Sequence, residues 1–377
     1  MVRVGVIGAG LSGLLCAQRL LSQMPAAHVT VLEWGRGPGG RTARRRVVLT
    51  DGTEISFDHA APCFSAKSSE LKALLQEWAA SGHAALWSEA GEDVWVGQPS
   101  NHAICRMLAE QVDSAGGLLL YGHHVLAARH EAATGEWTID VSDRANGGEK
   151  EHLVFDSLVF SDKLLLLPNP YAVLAPKEWG PLALPATLGS TGAVVLMLAL
   201  ERAPQATSPP LLSAVEPPLK LLVHDSTKPG RQTAGGRPLD LWVAHSTPAY
   251  AALHLRGDDP PSLDDPAAVL AELQAAALRT LASAESGKDA HAHMPPADGP
   301  KVAHAEVFAW DHAQPSDGSR LPSSHLLDTS RRAGVCGDFF AGPAGYEGVE
   351  AAAVSGLALA DALLPLLSMC KAPAGAE

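Results

Sequence analysis

Residues 2–13 read VRVGVIGAGLSG, and this stretch decides the fold of the chain. The β-branched run at its start predicts a strand that leads directly into a glycine-rich turn. A helical pattern follows at residues 14–23, and a second β-branched run occupies residues 28–33. A strand, a helix and a second strand in this order predict a βαβ unit.

Three glycines of this unit have the spacing of a dinucleotide-binding turn. Gly8 supplies a tight turn, Gly10 lets the backbone approach a pyrophosphate, and Gly13 allows close helix–strand packing. The helix that begins near Leu11 directs unpaired N–H groups and its positive dipole end at the phosphates. Glu33 stands twenty residues after Gly13, where its carboxylate can accept the hydroxyl groups of an adenosine ribose. Because FAD and NAD share this ribose, the turn alone does not choose between them.

Two further segments favour FAD. Residues 36–41 (RGPGGR) follow the acidic strand end, where Arg41 can form a fork of hydrogen bonds with phosphate or ribityl oxygens. Near the other end of the chain, Gly337 and Asp338 precede a glycine-rich turn into a helix that starts near Val349. That aspartate can hold a ribityl hydroxyl, and the helix N-terminus can stabilise negative charge on a reduced flavin ring. Nicotinamide needs no such closing element, so FAD is the expected cofactor.

Length and composition limit the class of protein. A chain of 377 residues exceeds a single core of about 250–300 residues, so two domains are expected. The net charge of −13 argues against nucleic acid as a partner. Five cysteines, Cys370 among them, form no CxxC pair and indicate a reducing compartment. His291 and His293 form an HxH without zinc spacing, so no metal is expected.

The C-terminal run at residues 351–370 is apolar, but Asp361 and Pro365 interrupt it. We therefore expect a buried helix and no membrane span. No signal-peptide pattern precedes Val2. These features predict a soluble intracellular protein of the cytoplasm or of an organelle, including a plastid if a transit peptide has been removed.

The middle of the chain alternates between strand and helix patterns. The strand patterns after residue 190 suit a sheet with one open face, and the polar, proline-containing residues 286–300 suggest a mobile loop. The expected strands are 117–125, 137–141, 153–160, 193–200, 219–224, 241–245, 302–310 and 332–336, and the expected helices are 70–80, 101–115 and 267–284.

Several motifs in this order resemble the renalases, a family within the flavin amine oxidase superfamily. They are FDHAAPCFSA at 57–66, HDSTKPGR at 224–231, WVAHSTPAYAALHL at 242–255 and the strand that ends at Trp310. The chain departs from the family where members commonly show GAQYF, aligned here with residues 60–64, and EGA, aligned here with residues 350–352.

The resemblance implies an α/β and α+β architecture like that of p-hydroxybenzoate hydroxylase. A Rossmann-type FAD-binding domain would comprise residues 1–66, 101–170 and 325–377, and a discontinuous substrate domain on a mainly antiparallel sheet would comprise residues 67–100 and 171–324. No cysteine stands in the context that attaches flavin covalently, so FAD binding should be non-covalent. The expected cofactor-binding residues are Gly8, Gly10, Leu11, Ser12, Gly13, Glu33, Trp34, Gly40, Arg41, Ala60, Ala61, Val125, Gly337, Asp338, Gly348, Val349, Glu350 and Ala351.

The implied activity is oxidation of isomeric dihydro-NAD(P) by hydride transfer to flavin N5, with O2 as electron acceptor and H2O2 as product. Such a donor needs positioning and no strong base, so no general base is assigned. The family motifs put Trp242, His245 and Trp310 on the substrate side, although core packing would also explain them. Lys228 and Arg231 are candidates for the phosphates of a dinucleotide substrate, with a surface turn as the alternative.

Two other functions stay open from the sequence. The first is oxidation of an amine or another small metabolite in the same superfamily fold, which the low aromatic content of 5% disfavours because amine sites are usually aromatic cages. The second is an FAD-containing binding or assembly protein without turnover, since a fold does not determine a function.

Overall fold

The structure is a computed structural model of the chain. It describes residues 1–144, 146–205, 208–213, 215, 217–231, 237–257, 260–286 and 300–369. Most of the loop predicted at 286–300, with His291 and His293, and the cysteine at position 370 lie outside the described residues.

The described residues form twenty-one strands and six α-helices. The strands are β1 (Arg3–Ile7), β2 (His28–Glu33), β3 (Arg45–Val48), β4 (Glu54–Phe57), β5 (Phe64–Ser65), β6 (Ala84–Leu86), β7 (Val94–Gly97), β8 (Leu118–Tyr121), β9 (His123–Glu131), β10 (Glu136–Asp143), β11 (Glu149–Phe155), β12 (Ser157–Phe160), β13 (Ser190–Leu200), β14 (Leu211–Leu212), β15 (Leu219–His224), β16 (Asp240–Ser246), β17 (Leu255–Arg256), β18 (Ser262–Leu263), β19 (Val302–Pro315), β20 (Leu326–Asp328) and β21 (Ala333–Val335). The helices are α1 (Leu11–Gln23), α2 (Ser69–Ala80), α3 (His102–Ser114), α4 (Pro248–His254), α5 (Pro266–Ser286) and α6 (Gly348–Met369).

A six-stranded sheet carries the predicted βαβ unit. Its order is β20-β21-β12-β1-β2-β8, and every neighbouring pair except β20–β21 is parallel. Helices α1, α3 and α6 cover one face, and the antiparallel sheet β11-β10-β9 covers the other. The central strands are apolar on both faces because both faces are buried.

A second sheet has the order β14-β15-β16-β13-β19, and all its neighbours are antiparallel. Helix α5 packs on one face through the even-numbered residues of β13. The odd-numbered residues of β13 face the β3–β4 hairpin instead. Both faces are covered, which corrects the expectation of a sheet with one open face.

The structure divides two of the predicted strands. The run at 117–125 is interrupted at Gly122, which has a φ of +74° and turns the chain from β8 into β9. The run at 153–160 is interrupted at Asp156, whose carboxylate accepts hydrogen bonds from the backbone and guanidinium of Arg3. Strands β11 and β12 therefore belong to different sheets, a division that the continuous apolar pattern concealed.

Helix α6 packs against α1 in the core of the six-stranded sheet. A Cβ atom on Gly356 would lie 2.2 Å from the carbonyl oxygen of Ser12, so the two backbones are in direct contact. By length and composition α6 is also apolar enough to cross a membrane, a criterion that core helices of soluble proteins meet as well.

Candidate functional site

The three glycines of the turn have different surroundings. Gly8 has a φ of +107°, and a Cβ there would meet the Ser161 hydroxyl at 2.3 Å. A Cβ on Gly13 would lie 2.1 Å from the carbonyl oxygen of Gly8. No atom lies within 4 Å of a Cβ built on Gly10, so the turn leaves open space there. Two of the glycines serve protein packing, and Gly10 leaves room for a ligand.

The first turn of α1 provides donors to that space. Gly10 is the N-cap residue, and neither a capping side chain nor an acidic residue satisfies the first turn. Leu11 and Ser12 are buried there, so their contribution to a ligand comes from the backbone. Free N–H groups at a helix N-terminus beside open space suit a pyrophosphate.

Glu33 closes one side of the turn. Its carboxylate accepts hydrogen bonds from the N–H groups of Ala9 at 2.8 Å and Gly35 at 2.6 Å. Burial raises the pKa of Glu33, and the bonds from Gly35 and Ala9 partly oppose that shift. A carboxylate oxygen can accept more than one hydrogen bond, so ribose hydroxyls can be added to these contacts.

Trp34 and Val125 meet beside Glu33. The Trp34 ring stacks on His124 with centroids 4.5 Å apart, and Val125 is the next residue in β9. Val125 is buried among core residues that include Leu32 of β2. The start of β9 therefore lies along the end of β2, although the two segments are about ninety residues apart in sequence.

The RGPGGR loop lies directly on the glycine-rich turn. The Gly39 N–H donates to the Ala9 carbonyl at 2.8 Å, and a Cβ on Gly40 would be 3.6 Å from the Gly10 Cα. Arg41 makes a bidentate ion pair with Asp338, with both N–O distances 2.7 Å. Its guanidinium also donates to the Ala313 carbonyl of β19. Arg41 thus joins the two ends of the predicted FAD site to the second sheet.

Asp338 and the start of α6 complete this end of the site. Asp338 is buried, and the Gly337 N–H donates to the Ser355 hydroxyl of α6 at 3.0 Å. Gly348 is exposed with a φ of +53°, and Val349 is partly buried. The loop after β21 is therefore held against the first half of α6.

Glu350 has a structural partner. It is buried, and one carboxylate oxygen accepts the N–H groups of Lys67 and Ser68, both at 2.6 Å. Glu350 therefore ties α6 to the start of α2, and Ala351 beside it is fully buried. These contacts give Glu350 and Ala351 a packing role between α6 and α2.

Ala60 and Ala61 lie between two polar anchors. The Asn101 amide donates to the Ala61 carbonyl at 2.6 Å, and Nε2 of His245 is 2.8 Å from the His59 carbonyl. His59 belongs to the same motif at 57–66 but is not among the site residues expected from the sequence. The structure brings the His59 ring within 5.4 Å of Trp310 and 5.2 Å of Phe308.

His59 packs against one face of the second sheet, and we call this group of rings the ring face: His59, His245, Phe308 and Trp310. Val195 of β13 pairs with both His245 and Phe308, so the three strands align there. Burial lowers the pKa of His245 to about 4 and, with the charge of Arg45 added, that of His59 to about 4. Both imidazoles are neutral at pH 7.

Buried polar atoms on the ring face lack partners. Among the described residues, Nδ1 of His59 and Nε1 of Trp310 have no hydrogen-bond partner, and neither has the nearby Thr191 hydroxyl. Buried polar groups are normally satisfied, so unpaired atoms mark a place where a ligand can supply the missing bonds.

Trp242 does not lie on the ring face. It alternates with Val243 and packs in the core under α5, stacked on His224 at 3.9 Å. Side chains two residues apart share a face of a strand and adjacent ones do not, so Trp242 and His245 point to opposite faces. This corrects the expectation that Trp242 joins His245 and Trp310.

Lys228 and Arg231 are also placed differently from the prediction. Lys228 is buried and pairs with Asp225 and Asp58, and Arg231 pairs with Asp58 and donates to the Gly97 carbonyl. Their charges are neutralised within the protein, so neither is free to bind substrate phosphates. The alternative of an exposed surface turn is wrong for Lys228 as well.

Two residues outside the sequence motifs support the site. The Ser161 hydroxyl donates to the Ile7 carbonyl at 2.7 Å and fills the space under Gly8. Lys163 is buried, donates to the Gly189 carbonyl at 2.6 Å, and has its pKa lowered by burial to about 8 despite the nearby Asp338. Both residues follow β12, and a polar residue directly after an apolar strand is the sequence feature that could have indicated them.

Comparison with known proteins bears on the fold. Residues 6–78 match the model of the NAD(P)-binding Rossmann-like domain. A putative protoporphyrinogen oxidase from Exiguobacterium aligns over 97% of this chain and 99% of its own, with 11% identity and a TM-score of 0.60. A protein from Pyrococcus furiosus aligns over 95% and 98%, with 13% identity and a TM-score of 0.55. A p-nitrophenol 4-monooxygenase from Pseudomonas putida aligns over 99% and 82%, with 15% identity and a TM-score of 0.51. The chain therefore has a Rossmann-like domain within a fold that it shares over nearly its full length with these proteins.

Proposed function

We propose that this protein is an FAD-dependent oxidoreductase that oxidises isomeric dihydro-NAD(P), which are isomers of β-NAD(P)H, to NAD(P)⁺. The substrate loses a hydride, O2 accepts the two electrons, and with one proton from solvent the second product is H2O2. Bound FAD would carry the two electrons between substrate and oxygen.

The observation that carries the proposal is the Arg41–Asp338 bridge beside the open turn at Gly10. It joins the start and the end of the chain at the carboxyl edge of the parallel sheet, where ligands of such sheets bind. A cofactor that begins at Glu33 and passes Gly10 would be continued by Gly40 and Asp338. That path suits a long dinucleotide with a ribityl chain, and binding would be non-covalent.

We also propose an arrangement like that of p-hydroxybenzoate hydroxylase, with the domain limits given above. The antiparallel order of the second sheet and its contact with Arg41 through Ala313 support this arrangement. The site between the sheets would place the ring face opposite the flavin ring.

The ring face would orient the substrate for hydride transfer. His59 and His245 are neutral, and no described acidic side chain is bonded to either, so they offer hydrogen bonds rather than charge. Unpaired Nδ1 of His59 and Nε1 of Trp310 would bond a carboxamide or hydroxyl group of a substrate. A donor of hydride needs only close placement, and ideal positioning can lower a barrier by up to about 7–11 kcal/mol.

Oxidation of an amine is the second candidate. The rings of His59, Phe308 and Trp310 lie within 5.4 Å of one another, and such a cluster can bind an organic cation. The guanidinium of Arg45 already lies over the Phe308 ring, 5.9 Å from its centroid, so that ring is less available to a cationic substrate and this candidate is second.

Stopped-flow mixing without oxygen tests the proposal. FAD-loaded protein is mixed with 2- and 6-dihydroNAD(P), with ordinary β-NAD(P)H and with a panel of amines, and the flavin absorbance is followed. We expect fast bleaching by the dihydro isomers and slow bleaching by the other donors. Bleaching by an amine alone would favour the second candidate.

Two further results decide the remaining alternatives. Flavin that no donor bleaches would favour a binding or assembly protein that holds FAD without turnover. Protein that purifies colourless and does not bind added FAD would show that the protein is not an FAD enzyme, and the whole proposal would then be wrong.

A further inference from the structure

The loop between β19 and β20 brings an arginine to the end of the site that holds Asp338. The Leu321 N–H donates to the Phe339 carbonyl at 2.9 Å, and the Ala341 N–H donates to the Leu321 carbonyl at 2.7 Å. These two bonds align the loop with the residues that directly follow Asp338 in the chain. Arg320, which precedes Leu321, therefore lies beside the end of the site where the ribityl chain is expected.

The start of the same loop is anchored as well. The Gly189 carbonyl accepts the Ser316 N–H at 3.2 Å and the Lys163 side chain at 2.6 Å. The N–H and the hydroxyl of Ser319 both donate to the Ser316 carbonyl, at 3.0 and 2.7 Å. Because both ends of the loop are bonded, Arg320 is held in one place relative to the six-stranded sheet.

The Arg320 guanidinium is buried more deeply than its acidic partner. Its side chain is 16% exposed, whereas that of Glu347, with which it pairs at 3.0 Å, is 70% exposed. The Nε atom of Arg320 is buried and has no hydrogen-bond partner among the described residues. An ion pair with a solvated carboxylate offsets little of the desolvation of a buried guanidinium. Arg320 can therefore be stabilised further by a second group that carries negative charge.

The other carboxylates of this region are not paired with Arg320: they are those of Asp162, Asp317, Asp338 and Glu350. Asp338 is bonded through both oxygens to Arg41, and Glu350 accepts backbone N–H groups at the start of α2. Asp317 is exposed, and Asp162 caps the short helix after β12. In the part of the chain that the structure describes, Glu347 is the one ion-pair partner of Arg320.

The same pair places Arg320 at the amino end of α6. Glu347 immediately precedes Gly348, the first residue of this helix. The ribityl chain of FAD is expected at Asp338, and the pyrimidine edge of the flavin is expected at the start of α6. A cofactor that runs between these two points would pass beside Arg320.

We infer that Arg320 stabilises the negative charge of the reduced flavin and thereby raises its reduction potential. Hydride transfer from the substrate adds two electrons and one proton at flavin N5 and leaves one negative charge on the N1–C2=O edge of the ring. A fixed guanidinium beside that edge favours the charged form. The inference rests on the proposed function for the bound FAD and the hydride transfer, but not for the identity of the hydride donor.

Titration of the FAD-loaded protein with sulfite tests this role without any substrate. Sulfite adds to flavin N5, leaves negative charge on the same edge of the ring and bleaches the flavin. We expect Kd for sulfite to rise about ten- to a hundredfold in Arg320→Gln, as for loss of one charged hydrogen bond. Arg320→Lys keeps the positive charge and should retain most of the affinity. Glu347→Gln removes the competing carboxylate and should lower Kd about threefold.

The reduction potential of the bound flavin is measured on the same proteins against a reference dye and should fall only in Arg320→Gln. A pair with a merely structural role would be damaged equally by Arg320→Gln and Glu347→Gln, so equal effects of these two variants would overturn the inference. An Arg320→Gln protein with the sulfite affinity and the potential of wild type would overturn it as well. Wild-type protein that holds FAD and shows these differences, but is bleached by no dihydro isomer, would contradict the proposed substrate alone.

Discussion

Residues that look equivalent in the glycine motif differ in what they contact. A side chain at position 8 would clash with Ser161, and a side chain at position 13 would clash with the Gly8 carbonyl oxygen. Gly10 adopts φ −76° and ψ 177°, which any residue can adopt, and no atom lies within 4 Å of a Cβ built on it. A ligand in the open space beside Gly10 would be the reason for glycine there, so we expect effects on stability and on cofactor binding to separate at this motif.

Gly10→Ala and Gly13→Ala make that separation measurable. In Gly10→Ala the apoprotein should melt at or slightly above the wild-type temperature, because the substitution restricts the unfolded chain. The added methyl group should crowd the pyrophosphate and weaken FAD about ten- to a hundredfold, the effect of 1–3 kcal/mol of overpacking. Gly13→Ala should lower the melting temperature of the apoprotein itself. Equal effects of both variants on the apoprotein would contradict this division.

His59 should make stability depend on pH. Its pKa is about 4 in the folded protein and 6.5 in the reference state, so the unfolded chain binds the proton more tightly. The contribution is fully present above pH 6.5 and is lost as the pH falls toward 4. The loss amounts to about 3 kcal/mol of unfolding free energy.

Urea unfolding of wild type and His59→Gln at several pH values checks this expectation. The variant should lose less stability than wild type between pH 6.5 and 4, and the exposed His28→Gln should follow wild type. Parallel curves for all three proteins would show that the His59 imidazole titrates normally.

At the scale of elements, α6 links the glycine-rich turn to the loop that carries Asp338. It touches Ser12 through Gly356, Gly337 through Ser355, and the start of α2 through Glu350. The helix therefore positions two segments of the predicted FAD site at once. A substitution that disturbs the packing of α6 should therefore weaken FAD binding, although α6 contributes few side chains to the predicted FAD site.

Gly356→Val is the sharpest test of that link. The new side chain would strike the Ser12 backbone at 2.2 Å, and neither helix can yield without shifting the first turn of α1. We expect a loss of about 1–3 kcal/mol in stability and weaker FAD binding. Ser368→Val, at the exposed end of α6, should change neither property. A stable Gly356→Val protein with unchanged FAD affinity would show that the α1–α6 contact is not needed.

At the scale of the whole molecule, a buried ionic network holds the sheets together. Asp58 accepts from the Asn101 backbone at 3.0 Å and pairs with Lys228 and Arg231, while Lys228 also pairs with Asp225. The four charged residues come from two separate motifs of the sequence, at 57–66 and 224–231, and Asn101 is the N-cap of α3. Their meeting explains why the motifs occur together, since each is needed to neutralise another.

Asp58→Asn should destabilise the protein strongly. Removing one partner of a buried ion pair leaves an uncompensated charge and costs about 3–5 kcal/mol. Asp264→Asn, which breaks an exposed pair with Arg256, should leave the free energy of unfolding unchanged within error. Denaturant titration of both variants measures the difference. An Asp58→Asn protein as stable as the control would mean that the network contributes no net stability.

The sequence alone determined the βαβ unit, the glycine-rich turn and Glu33. These features depend on local periodicity and on residues close together in the chain, so the predicted elements at 28–33, 70–80 and 267–284 need no tertiary information. Arg41 and Asp338 could be predicted only as members of two separate loops. Their ion pair joins residues 297 positions apart and could not be predicted from local patterns.

The tertiary structure decided the rest. The face to which Trp242 points, the burial of Lys228 and the role of His59 depend on which strands pair and in what register. A residue type does not reveal whether a distant carboxylate will neutralise it. Lys228 and Arg231 therefore looked like phosphate ligands, while Arg44, which the sequence did not distinguish, has a buried Nε atom without a hydrogen-bond partner among the described residues. Long-range packing, not local pattern, assigns each charge its partner.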